Sequence, residues 1–218
     1  MSEIETTISI IGTAYFQPIS DLLEKWLKRK VPRSDKVSSG YYEGAYAVSL
    51  IILLVSAFES FMARERWFRK DVSIRRREGL PEIFKKLFPK YRRYKRLSDV
   101  YVVRDSIVHN HLWEIDSEQN RFRKRKLVKA TQSPWDGNTR YKERINLESR
   151  RTKALSLHTV PTRIDRRDAL KVMGVILDAL MVIETCGAMP IRITESTVGF
   201  QGGNRPFKEL YSALEKAI

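Results

Sequence analysis

At 218 residues the chain is long enough for one domain with a sizeable core, or a core plus a substantial insertion, and too short for two full domains. Its 41 Lys and Arg against 26 Asp and Glu give a formal net charge of +15, which calls for a polyanionic partner, either nucleic acid or an acidic membrane face. The single cysteine, Cys186, excludes an intrachain disulfide and a cysteine-based metal cluster and suits a reducing, cytoplasmic setting, while the acids of "MSEIETTISI" stand where a secretory signal would place cations.

A first helix is expected over 19–30, where Leu22, Leu23, Trp26 and Leu27 recur at helical spacing and Ser20 or Asp21 can cap the start. "VPRSDKVSSGYYEG" reads as a loop. The next helix, 44–68, is apolar on nearly all sides in its first half, as an enclosed element should be. Its uncharged part ends at Glu59, short of the roughly 20 residues a membrane crossing needs, so a buried central helix and no membrane are expected.

From 64 to 96 there are 14 Lys and Arg against 4 Asp and Glu, yet Leu80, Ile83, Phe84, Leu87 and Phe88 keep helical intervals. An amphipathic helix with a cationic outer face follows, ended or kinked at Pro89. A further helix over 97–112 can be capped by Ser98 or Asp99. The stretch 113–164 differs: "RFRKRK", the turn signals of "SPWDGN" and the alternating "RKLVKA" and "KALSLHTV" indicate a basic, hairpin-bearing insertion or loop. Helix resumes in "RIDRRDALKVMGVILDALMVIET", with Ala169, Val172, Met173, Ile176, Leu177, Leu180 and Ile183 on one face and Asp165 as cap. The tail holds a strand or loop, a "QGGNRP" turn and a last amphipathic helix.

Chemistry concentrates in "VVRDSIVHNHLW". On a wheel advancing 100 degrees per residue, Leu97, Val100, Tyr101, Ile107 and Val108 fall within about 60 degrees of Arg104, which therefore sits in the middle of the apolar arc. His111 returns to within about 20 degrees of it, and Asp105 and His109 share one flank, roughly 100 and 140 degrees away. A core-facing guanidinium needs a partner because it cannot discharge itself. Two readings stand side by side: an ion pair with Glu59, the acid that ends the uncharged run of the long apolar helix, or an arginine facing a cleft or interface where it meets phosphate. Imidazoles nearby favour proton transfer next to a phosphate. No metal site is expected, since His109 and His111 lie on opposite sides of a helix and no cysteine or nearby acid completes a set. HExxH, glycine-rich phosphate loops and GxSxG are absent from the sequence.

The spacing of "RDSIVH", with a polar residue directly after the arginine and a place late in a helix, resembles the Arg-x4-6-His motif of the HEPN superfamily, and the helix order over about 19–186 is similar to that family's. The resemblance implies an all-α bundle of four to five helices, with the insertion at about 113–164 before the last core helix and a C-terminal extension at 187–218. It implies a homodimer that brings two motif copies together and cleaves RNA with no cofactor or metal, as a prokaryotic toxin or antiviral defence effector, with an antitoxin or companion defence protein as further partner. Arg104 would stabilise the phosphate charge and His109 would move protons, with Asp105, Asn110, His111 and Glu59 in support. Some members carry a tyrosine two residues after the motif histidine, the target of a partner nucleotidyltransferase; His111 stands there in this chain, which puts that silencing route in doubt. Arg121, Arg123, Lys124, Arg125 and Lys126 are the expected RNA-backbone contacts, or else a solvated charged loop. The alternative function is a non-catalytic α-helical RNA-binding or partner-binding module.

Overall fold

The computed structural model describes residues 12–29, 37–69, 79–109, 114–115, 125–126, 143–188 and 192–218. Within them the protein is mostly helical, 68% of residues lying in six α-helices and short helical turns, and its strands form only small pairs. A 3-10 turn, Gly12–Tyr15, leads into α1 (Phe16–Leu27); then come α2 (Val37–Arg69), α3 (Leu80–Leu87) and α4 (Tyr94–His109). Three antiparallel pairs join β1 (Glu114–Ile115) to β2 (Arg125–Lys126), β3 (Ile145–Asn146) to β4 (Arg151–Thr152), and β5 (Thr197–Phe200) to β6 (Gly203–Pro206). Between the last two pairs runs α5 (Arg166–Cys186), and α6 (Leu210–Glu215) closes the chain.

α2 is the central element, packing on α1, α3, α4 and α5. It lies alongside α5 in the same direction: Glu43 pairs with Arg166 at one end, and Glu65 accepts from the Ala188 amide at the other. Ala47, Leu50, Ile51, Leu54, Phe58 and Met62 face the core, with Ala169, Val172, Met173, Ile176 and Leu180 of α5 fully buried in the same cluster. By length and composition alone the stretch Glu43–Arg69 could cross a membrane, and half of its most apolar window is buried against the rest of the protein.

The expected helices are present with shifted ends. α1 starts three residues earlier than expected and is capped by neither Ser20 nor Asp21: Tyr15 holds the N-cap position, Ser20 is buried, and its hydroxyl donates to Gly199 O at 2.6 Å. α4 starts at Tyr94, so Ser98 and Asp99 lie inside it rather than at its cap. The cationic 64–96 stretch divides between the end of α2 and the short α3, with Phe88 closing α3 just before Pro89. Asp165 caps α5 as expected, its side chain accepting from the Arg167 and Asp168 amides while Asp168 reaches back to the Asp165 amide.

The C-terminal part, set apart from the core by sequence alone, is packed into it. The Phe207 ring stacks on Phe16 with centroids 3.8 Å apart, and Leu210 and Leu214 are fully buried. The β5–β6 hairpin turns through Gln201 and Gly202, both at positive φ (51° and 78°), the conformation a two-residue hairpin loop requires. Gln17 then holds its strand to α1 by paired bonds with Gly199. At the other end, Gly12 lies so close to Phe61 that a Cβ there would sit 2.5 Å from its ring, so the approach of this turn to α2 requires glycine.

Candidate functional site

Arg104 projects from α4 towards α2. Its Nη1 donates to Asp105 Oδ1 at 2.8 Å and its Nη2 to Glu59 Oε1 at 3.1 Å, the latter being the pairing expected for the acid at the end of the uncharged run. Partial burial opposes its charge, but the bond to Asp105 and the charges of Glu59 and Asp105 outweigh it, and its pKa is raised. Beside it the Tyr101 phenol is buried without a hydrogen-bond partner among the described residues; burial first, then the Glu59 charge, pushes its pKa well above the ordinary value.

The arginine lies less deep than the middle of an apolar arc implies. Its side chain is 28% exposed, and Val108, one turn on along the same face, is 51% exposed. Leu97, Val100 and Tyr101 of the expected arc are buried, and burial extends round α4 to Ser98, Asp99, Val102, Val103 and Ser106 as well. Three of these last five are polar, and each makes at least one hydrogen bond. Ser98 and Ser106 donate to the Tyr94 and Val103 carbonyls, and Asp99 Oδ2 accepts from the Ala154 and Leu155 amides at 2.8 Å each. A count of apolar types misses a face built this way. Arg104 thus stands at the edge of the core, partly open to solvent.

His109 is the last residue of α4, five positions from Arg104, and only its backbone is described. Asn110, His111, Arg121, Arg123 and Lys124 lie outside the described residues. Arg125 and Lys126 form β2, pairing with Ile115 and Glu114, so an antiparallel strand pair is present in the expected insertion, though their side chains too lie outside the description.

A second polar cluster escaped the sequence reading. His158 Nδ1 lies 2.8 Å from Asp168 Oδ2, and Arg151 Nη2 lies 2.7 Å from His158 Nε2. Since guanidinium only donates, Nε2 is the acceptor, and the ring proton sits on Nδ1, directed at Asp168. Asp165 joins them, the three ligand atoms lying within 4.8 Å of one another, the spacing of a metal site. Yet Asp168 Oδ2 also accepts from the Asp165 amide, its Oδ1 from the His158 amide, and Asp165 Oδ1 from two amides of α5. A cation would have to displace this capping network. The signal in the sequence was slight: one histidine ten residues before a helix acid, in an irregular segment.

Compared with known proteins, the chain matches no family model, no curated sequence and no solved structure.

Proposed function

We propose that the protein is a metal-independent endoribonuclease of the HEPN kind, working as a homodimer with RNA as substrate, in the role of a prokaryotic toxin or antiviral defence effector. The observation that carries this reading is the edge of α4. Arg104 is held in one orientation by Glu59 and Asp105 yet remains accessible, while Val108 beside it leaves an apolar side chain in solvent. A second copy of the chain covering Val108 would enclose the arginine and bring two motif segments together. Cleavage by the ribose 2′-hydroxyl then needs a base for that proton, an acid for the leaving oxygen and a cation at the phosphorane; His109 of each protomer would supply the first two and Arg104 the third. The net charge of +15 suits a polyanionic substrate.

The double ion pair favours a second reading, a non-catalytic RNA-binding or partner-binding module in which Arg104 serves only to join α4 to α2. Incubating RNA with the purified protein in EDTA separates the two. The enzyme reading expects cleavage that persists in the chelator and disappears in His109→Ala; equal background from both proteins leaves the module.

A further inference from the structure

Residues 83–98 carry seven Lys and Arg and no Asp or Glu, and the functional reading above uses none of them. The structure places them on the outer side of α3, the following turn and the start of α4, where Lys85, Lys86, Lys90, Arg92, Arg93, Lys95 and Arg96 are all exposed. The β3–β4 hairpin extends the ridge. Arg144 donates to the Lys95 carbonyl at 3.3 Å, and the Arg144 carbonyl accepts from the amide of the exposed Lys153 at 2.8 Å. Tyr94 sits between the two halves, its ring 4.4 Å from Lys85 Nζ and 5.4 Å from Arg144 Cζ, so the cations of α3 and of the hairpin are gathered around one side chain.

We infer that this α3–α4–hairpin ridge binds the phosphate backbone of RNA, independently of base sequence. That the polyanion is RNA rests on the functional reading above; that the surface binds a polyanion rests on the ridge itself. Like charges at this density repel one another; Asp178 of α5 pairs with Arg93, at 3.4 Å, and Glu82 stands in the first turn of α3, just before the run. Phosphates would relieve that repulsion, releasing their counterions as they bind. Tyr94 is engaged by its two cations and Tyr91 is buried, so the ridge offers no open ring for base stacking, and recognition falls to the backbone. A membrane fits less well. Leu147, in the β3–β4 turn, and Val108, at the far end of α4 from these cations, are the large exposed apolar side chains on the elements of the ridge among the described residues, too little to anchor a protein in lipid. The ridge also lies on the helix of the motif, Arg96 standing about 12 Å along α4 from Arg104 at 1.5 Å per residue.

The test uses the full chain in a His109→Ala background, so that RNA is bound and not cut, with a mixed-sequence 20-nucleotide RNA followed by fluorescence anisotropy across a salt series. Arg92→Glu, Lys95→Glu and Arg96→Glu together should weaken binding on the order of 100-fold near physiological salt and flatten the salt dependence by about three phosphate contacts. The same three changed to Gln should lose about 10-fold, which keeps the test open if the reversed variant does not fold. Lys25→Glu, Arg205→Glu and Lys216→Glu, an equal charge change on exposed residues of other elements, should cost no more than a few-fold.

Equal losses in ridge and control variants overturn the inference, as does a wild-type chain that binds phosphatidylserine vesicles through these cations but no RNA. The two readings fail separately. Ridge-dependent binding by a protein that never cleaves leaves the ridge and removes the enzyme; His109-dependent cleavage with binding indifferent to the ridge does the reverse.

Discussion

Arg166 and Arg104 are both helix arginines paired with an acid from α2, and they are built for different ends. Arg166, at the start of α5, has a side chain only 6% exposed; its Nε donates to Glu43 at 2.9 Å, its Nη2 approaches the Trp26 and Arg29 carbonyls at 3.4 and 3.3 Å, and its guanidinium lies over the Trp26 ring. Backbone carbonyls cannot turn away, so this charge is fixed where three elements meet. Arg104 is 28% exposed and pairs with two side chains, Glu59 and Asp105, either of which can rotate to give place to a phosphate. Fixed partners mark a structural ion pair. Displaceable ones leave a cation that is oriented in advance and still available.

Truncating each arginine is the sharpest way to break the comparison. Arg166→Ala leaves Glu43 charged and largely buried, and the loss of one member of such a pair costs about 3–5 kcal/mol, read as a lower urea midpoint. Arg104→Ala should cost about 1 kcal/mol or less in the same titration, because its pair is part exposed and its acids can turn to water. If cleavage is found, the ranking inverts: Arg104→Ala should slow it by about 100- to 1,000-fold, the scale for removing one preorganised donor to a developing negative charge. A variant as unstable as Arg166→Ala would put Arg104 in the structural class and return the reading to the non-catalytic module.

The two arginines also show what the sequence could disclose. The Glu59 to Arg104 pairing was legible because Glu59 is the acid that ends the uncharged run of an apolar helix, and α5 was legible because Asp165 precedes an unbroken helical pattern. The degree of burial at Arg104 was not, since the inner face of α4 uses Ser98, Asp99 and Ser106, whose polarity is cancelled by bonds to carbonyls four and three residues back and to a distant hairpin. Periodicity counts residue types, while burial depends on whether each polar atom finds a partner. Arg151, His158 and Asp168 meet only because the chain folds back before α5, and no spacing rule anticipates that. Phe207 and Leu214 seemed an appendage because their partner, α1, lies at the other end of the chain.

A smaller effect tests the inner face of α4, which lies on the same helix as Arg104 and is built on the fixed principle of Arg166. Asp99 is fully buried, and its Oδ1 has no hydrogen-bond partner among the described residues, while Oδ2 holds the turn after β4. Burial raises its pKa above the ordinary 3.8 in spite of the Leu155 and Ala154 amides, so the folded protein keeps this proton more firmly than the unfolded chain does. Its ionised form is therefore a cost at neutral pH. The stability it contributes rises as pH falls through the raised folded value and is complete below the unfolded one. Asp99→Asn holds the neutral shape at every pH and keeps an oxygen for both amides. The variant should be the more stable protein at pH 7, by about 1 kcal/mol or less, and its advantage should shrink on acidification in paired thermal melts. Other carboxylates titrate equally in the two proteins and drop out of the difference. A gap that stays constant with pH would mean that Asp99 is held as a carboxylate, with its second oxygen satisfied in solution.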